Sequence, residues 1–168
     1  KYQGDLKSPE GFYQVNQTQL NPNSRFYRAI NLGFPNQYDQ EQGYTGDFLM
    51  IHGACKSVGC YAMTDTVMDE IYQYAELALK NGQQNINIHI FPFKMTAENM
   101  KKFQYSANMD FWQQLAPAYQ YVEEYQKIPV ISVKNGRYLV NNREAISTLN
   151  LAKSIDSKWL QNSQPTIK

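Results

Sequence analysis

From Gly11 to Gly53 the apolar positions come in short β-prone runs broken by Gly, Pro and Asn. Gly11–Val15, Phe26–Ile30 and Asp47–Ile51 each read as a strand. After Cys60 the spacing changes to that of a helix. Thr64 or Thr66 can cap it, Thr66 and Asp69 have the spacing of a capping box, and Gly82 stops it. Val67, Ile71, Tyr74, Ala75 and Ala78 fall on one face, the expected core side. Ile86–Phe91 alternates as a half-buried strand ended by Pro92, which leaves His89 on the solvent side. Thr96–Lys102 and Asp110–Tyr125 read as helices, and Val130–Val140 as a hairpin turning at Asn135-Gly136. The stretch after Asn141 holds at most one weak helix and a polar end. No repeat and no linker interrupts the pattern. The expectation is a single α+β domain over 1–140, with 141–168 a weakly structured tail or part of the same domain.

Composition narrows the class of protein. A chain of 168 residues with 42% hydrophobic positions can bury a real core. The formal net charge of +1, without a basic run, gives no footprint for nucleic acid or an anionic membrane surface. No apolar run approaches the roughly 18 residues of a membrane span. The 13 Tyr, with many Gln and Asn, supply uncharged hydrogen-bonding groups suited to carbohydrate- or peptide-like ligands. An ordinary polar surface accounts for the same bias.

The chemistry concentrates in I51-H-G-A-C-K-S-V-G-C60. Of the chain's 2 His and 2 Cys, His52, Cys55 and Cys60 all lie there. Four readings fit these residues: a metal site, a Cys55–Cys60 disulfide loop, a nucleophile with its base, and coincidence. Zinc takes four ligands, or three in a catalytic site, and the spacing here matches no common zinc motif. A disulfide would close a short loop and extinguish a nucleophile. A thiol on a glycine turn ahead of a helix has a different use. A free Cys titrates near pH 8.5, and a helix N-terminus or imidazolium lowers that value. Gly59 lets the backbone turn tightly, exposing N–H groups that can hold an oxyanion.

Other segments add a resemblance. Gly4-Asp5-Leu6-Lys7-Ser8-Pro9-Glu10-Gly11-Phe12-Tyr13 resembles the G-D-x-x-[TS]-P-x-G-x-[FY] signature of L,D-transpeptidase (YkuD-type) catalytic domains. His52-Gly53 followed by Ser57-Val58-Gly59-Cys60 resembles their H-G…S-x-G-C motif. The stretches Asn31–Asn36, Gly59–Asp65, Phe91–Thr96 and Asn135–Tyr138 are similar to the YafK (DpaA) branch of periplasmic murein enzymes. The resemblance runs from Lys1 to Val140.

It implies an L,D-transpeptidase-like β-sandwich core with helices, and Cys60 on the turn before a helix. Cys60 is then the nucleophile that forms a thioester, and His52 the general base and later acid. The Gly53 carbonyl fixes the imidazole tautomer, and the N–H groups of Gly59 and Cys60 form the oxyanion hole. No metal or cofactor is expected. The chain departs from the broad family in two places: Val58 stands where a second His is usual, and Ala62 where an Arg is usual. Loss of that Arg removes a fork for a substrate carboxylate. The departure agrees with the YafK branch, which resembles a hydrolase that cuts diaminopimelate of peptidoglycan from the C-terminal lysine of an outer-membrane lipoprotein.

The expected function is therefore a periplasmic cysteine amidase, with peptidoglycan and a murein-linked lipoprotein as partners. The alternatives are an L,D-transpeptidase or L,D-carboxypeptidase of stem peptides, and an inactive murein-binding or adhesion module. Presence of both Cys60 and His52 weighs against the last. Tyr44 is expected to line the cleft, Cys55 to be a partly buried small residue, and Asp5 and Lys7 to shape the first hairpin.

Overall fold

A computed structural model describes residues 1–141. The readings made above for residues 142–168 lie outside it. The described chain is α+β, with three small sheets and four helices. The first sheet pairs β1 (Gly11–Val15) antiparallel with β6 (Ile86–Ile90), Gly11 opposite Ile90 and Val15 opposite Ile86. The second runs β2 (Leu20–Ser24), β3 (Tyr27–Asn31), β4 (Met50–His52), β5 (Tyr61–Ala62). The third is the hairpin β7 (Ile131–Lys134) and β8 (Arg137–Val140), turning at Asn135-Gly136 as expected.

Strand alternation gives β1 two jobs. Tyr13 and Val15 point toward the second sheet, where they meet Leu32, Phe34, Ile30 and Ile51. Phe12 points the other way, into a second core with Met95, Trp112, Leu115 and Tyr138. That core is closed by α4 (Met109–Tyr125) and by aromatics flanking α3 (Ala97–Lys102). It also explains where His89 goes. The outer face of the first sheet is covered only in part, and an open cavity of about 630 Å³ lies along Phe12, Gln14, Asn87 and His89, so His89 is half-buried, 5.0 Å from the Phe12 ring, rather than fully on the solvent side. Burial lowers its pKa.

The helix α2 (Asp65–Lys80) forms where expected, turned by about one residue. Its buried stripe is Met68, Tyr72 and Ala75, while Val67 and Tyr74 are 42% and 69% exposed. One residue is about 100° of rotation in an α-helix. Asp69 pins that rotation: it takes the Tyr27 hydroxyl at 2.7 Å and lies 3.2 Å from the Arg28 guanidinium, an ion pair rather than an aligned hydrogen bond. With Asp69 held to β3, its neighbour Met68 must enter the core. The Thr66–Asp69 capping box does not form, because the helix already starts at Asp65 and Asp69 is spent on β3.

Four elements were not expected, among them a single 3-10 turn at Gln17–Gln19 capped by Asn16. The short α1 (Gln37–Glu41) is capped by Asn36, whose side chain accepts from the Asp39 N–H at 2.8 Å. Strand β2 contains Pro22 and is an edge strand, where a missing N–H does no harm. Strand β5 exists only through its parallel pairing with β4. Ahead of β1, the Lys1 ammonium donates to the buried Asp39 at 2.9 Å, tying the first residues to α1.

Candidate active site

His52 is the last residue of β4 and pairs with Ala29 on one side and Ala62 on the other. In a parallel ladder, paired residues point to the same face, and that face alternates along each strand. Ile51 faces the core, so His52 and Ala62 face away from it. Cys60 stands one residue ahead of β5, the strand paired with β4, and β4 ends in His52. Residues 53–60 make the whole connection, shorter than the dozen or so residues a parallel crossover usually takes.

The imidazole is 1% exposed, with the Phe26 ring tilted over it at 4.7 Å. Its Nδ1 lies 2.5 Å from the Gly53 carbonyl. A carbonyl only accepts, so Nδ1 carries the proton and Nε2 keeps its lone pair. Gly53 is demanded by space: a Cβ there would meet Asp65 Oδ1 at 2.7 Å, the Phe26 carbonyl at 2.8 Å and Tyr27 Cβ at 2.9 Å. Asp65, first residue of α2, takes the Ala54 N–H at 2.7 Å, and Thr64 N–H donates to the Ala54 carbonyl at 2.9 Å. The backbone after His52 is thus bound to the start of the helix. Neither this Asp65 role nor the Phe26 cover shows in the residue pattern. Both depend on contacts between segments far apart in the pattern.

The Cys60 thiol is half-buried and donates to the Phe48 carbonyl at 3.6 Å. Ser57 Oγ donates to the Cys60 carbonyl at 2.8 Å. Gly59 has φ +91°, a left-handed conformation that favours glycine, and its α-carbon faces the Lys7 carbonyl. Among the described residues, neither the Gly59 nor the Cys60 N–H donates to another group. Leu6, Tyr27, Phe48, Ala54 and Thr64 also have φ between 52° and 74°, though none is glycine. Such strained residues gathered around one site are held there by their surroundings.

A cleft of about 270 Å³ opens beside Gly59, between the first residues of the chain and residues 45–49. Leu6 and Val58 stand on its wall, 69% and 71% exposed. Asp5 lies in the same wall and accepts the Lys7 and Tyr2 N–H groups. Those two bonds, Lys7's first, hold its carboxyl below the usual carboxylate range. Tyr44 is not among the lining residues. Its ring is taken up by an edge contact with Tyr2 at 6.1 Å and by the Lys1 ammonium 5.6 Å from its centre, so it stands behind the cleft. Cys55 is exposed rather than partly buried, and both cysteines are free. Tyr61, next to Cys60, donates to the Pro9 carbonyl at 2.8 Å, and burial pushes its pKa up to about 12.

The comparisons with known proteins agree with one another. The model of the YkuD family, the L,D-transpeptidase catalytic domain, matches residues 1–84. YafK of Escherichia coli K12, whose L,D-transpeptidase designation is provisional, is 56% identical over 139 residues, covering 83% of this chain and 56% of that protein. Its counterpart in Escherichia coli O157:H7 matches to the same extent. This chain thus spans little more than half the length of these relatives. Among solved structures, the helical cell shape determining protein Pgp2 from Campylobacter jejuni aligns with TM-score 0.46 and 17% identity, over 80% of this chain and 59% of that one. That likeness is too loose to build on. The family match and the YafK identity establish that this chain belongs to the L,D-transpeptidase (YkuD) catalytic-domain family.

Proposed function

We propose that the protein is a cysteine amidase of peptidoglycan, acting in the periplasm. It cleaves the amide between diaminopimelate and the C-terminal lysine of a murein-bound lipoprotein. The observation that carries this reading is the His52 imidazole held by the Gly53 carbonyl so that Nε2 is left to accept a proton, at the end of the strand paired with the one that Cys60 leads into.

The steps follow from that geometry. Nε2 of His52 takes the Cys60 proton, and the thiolate attacks the amide carbonyl of diaminopimelate. The carbonyl oxygen becomes an oxyanion facing the unpaired N–H groups of Gly59 and Cys60. Collapse of this intermediate breaks the carbon–nitrogen bond. The imidazolium returns its proton to the departing lysine amine, leaving a thioester on Cys60. Water, deprotonated by Nε2, then attacks the thioester. It releases the diaminopimelate carboxylate and restores the thiol.

The choice of water over a second stem peptide is supported by Val58 and Ala62. They place an exposed apolar and a small side chain where the broader family carries His and Arg. An acceptor peptide has little polar surface to hold there. Digestion of lipoprotein-bearing sacculi with the purified protein tests the reading. The expected products are lipoprotein ending in a lysine free of diaminopimelate and few new diaminopimelate–diaminopimelate cross-links. Abundant cross-links without lipoprotein release would make the protein a transpeptidase.

A further inference from the structure

Four charged residues stand on the wall of the cleft beside Gly59: Lys1, Asp5, Lys7 and Asp47. Two are committed elsewhere. The Lys1 ammonium is held by Asp39 and the Glu10 carbonyl, and the Asp5 carboxylate by the N–H groups of Tyr2 and Lys7. The other two are not. Among the described residues, neither the Lys7 ammonium nor the Asp47 carboxylate makes a hydrogen bond or ion pair, and both residues are exposed. They come from different segments, one ahead of β1 and one ahead of β4, and they do not pair with each other. The Lys7 backbone carbonyl packs against Gly59, one residue from the nucleophile. The cleft thus carries one positive and one negative group free of hydrogen bonds and ion pairs, and its wall reaches Gly59, the residue before Cys60. Strand β5 supplies no cation of its own, since Ala62 holds the position opposite His52.

Opposite charges across a small cleft suit a ligand that carries both charges on one carbon. Pockets for drug-sized molecules usually measure about 300–1,000 Å³. At about 270 Å³ this cleft lies just below that range, a size that suits one amino-acid group. We propose that the cleft is a subsite for a zwitterionic α-amino-acid group, with Lys7 taking its carboxylate and Asp47 its ammonium. Resting on the peptidoglycan reading above, that group is the free amino-acid end of diaminopimelate, the end outside the bond being cut. Charge-assisted bonds to both ends fix which way the diaminopimelate lies, and so which carbonyl meets Cys60.

The subsite can be tested without turnover, in the Cys60→Ala protein. The probes are the stem tripeptide ending in diaminopimelate and the same tripeptide ending in lysine, with binding read by calorimetry. Lysine keeps the distal ammonium and lacks the distal carboxylate. The diaminopimelate peptide should bind about tenfold more tightly, the worth of a hydrogen bond between charged groups. Adding Lys7→Gln should erase that preference, leaving the lysine peptide as before. Adding Asp47→Asn should weaken both peptides by a similar factor, because both carry the ammonium. A preference that survives Lys7→Gln, equal binding of the two peptides, or no binding of either overturns the subsite. If the preference behaves as expected while the unaltered protein releases no lipoprotein from sacculi, the amidase reading fails and the subsite stands.

Discussion

His52 and His89 sit on strands of the two packed sheets, and both rings lie against phenylalanine. Phe26 covers the first at 4.7 Å and Phe12 meets the edge of the second at 5.0 Å. The difference lies in what touches the nitrogens. Nδ1 of His52 is held by the Gly53 carbonyl, which commits the ring to one tautomer and leaves Nε2 for chemistry. No hydrogen bond to a ring nitrogen of His89 occurs among the described residues, and desolvation acts on it unopposed. Burial alone discourages the charged form and gives the ring no direction. A ring proposed as a base needs an anchor as well as a pocket, and the Gly53 carbonyl anchors that of His52.

The sharpest way to break the comparison is to remove each side of the reacting pair. Cys60→Ala should abolish lipoprotein release, and His52→Ala should slow it by about 100-fold or more. Melting of Cys60→Ala should stay close to that of the unaltered protein, because its half-buried thiol is not part of a core cluster. If His89→Phe instead removed activity while His52→Ala kept it, the roles assigned to the two rings would be reversed.

A smaller effect tests the anchor. Gly53→Ala keeps the carbonyl and adds one methyl into space already filled by Asp65, Phe26 and Tyr27. Overpacking of this kind costs about 1–3 kcal/mol. The segment linking β4 to α2 must shift, taking the carbonyl away from Nδ1. Loss of activity should exceed what the lowered melting temperature explains, and turnover assayed well below melting separates the two. Full activity in a destabilised Gly53→Ala protein would show that the anchor is dispensable.

The smallest effect concerns His89 and pH. Its folded pKa lies below the ordinary 6.5, so just below pH 6.5 the unfolded chain binds more protons than the folded one. Stability therefore rises with pH through that window and is lost as pH falls below it. His89→Phe removes the proton uptake. Denaturant unfolding between about pH 5 and 7 should then give a flatter slope, with turnover unchanged. An unaltered slope would mean that another group titrates there.

What could be read in the sequence follows the range of the forces involved. Strand β1 and the β7–β8 hairpin turn were legible because alternation and an Asn-Gly turn are local. The matched motifs singled out His52 and Cys60, which stand at the end of β4 and just ahead of its partner strand β5. The buried face of α2 was misread because a tie between Asp69 and Tyr27, 42 positions apart, sets its rotation. Strand β5 was invisible, since two residues carry no period and need β4 beside them. Tyr44 looked like a cleft residue by its nearness to β4 in the chain. Its ring instead serves the contacts that seat Lys1 and Tyr2.

The shortness of the connection at 53–60 turns chain length itself into information. It starts directly after His52 and ends on Cys60, so the chain itself bounds how far apart the two can lie. Each inserted residue would let the thiol move up to about 3.5 Å further from the imidazole. The spacing between His52 and Cys60 is thus as much a part of the proposed site as the side chains themselves, and lengthening it should weaken the site with both side chains still present.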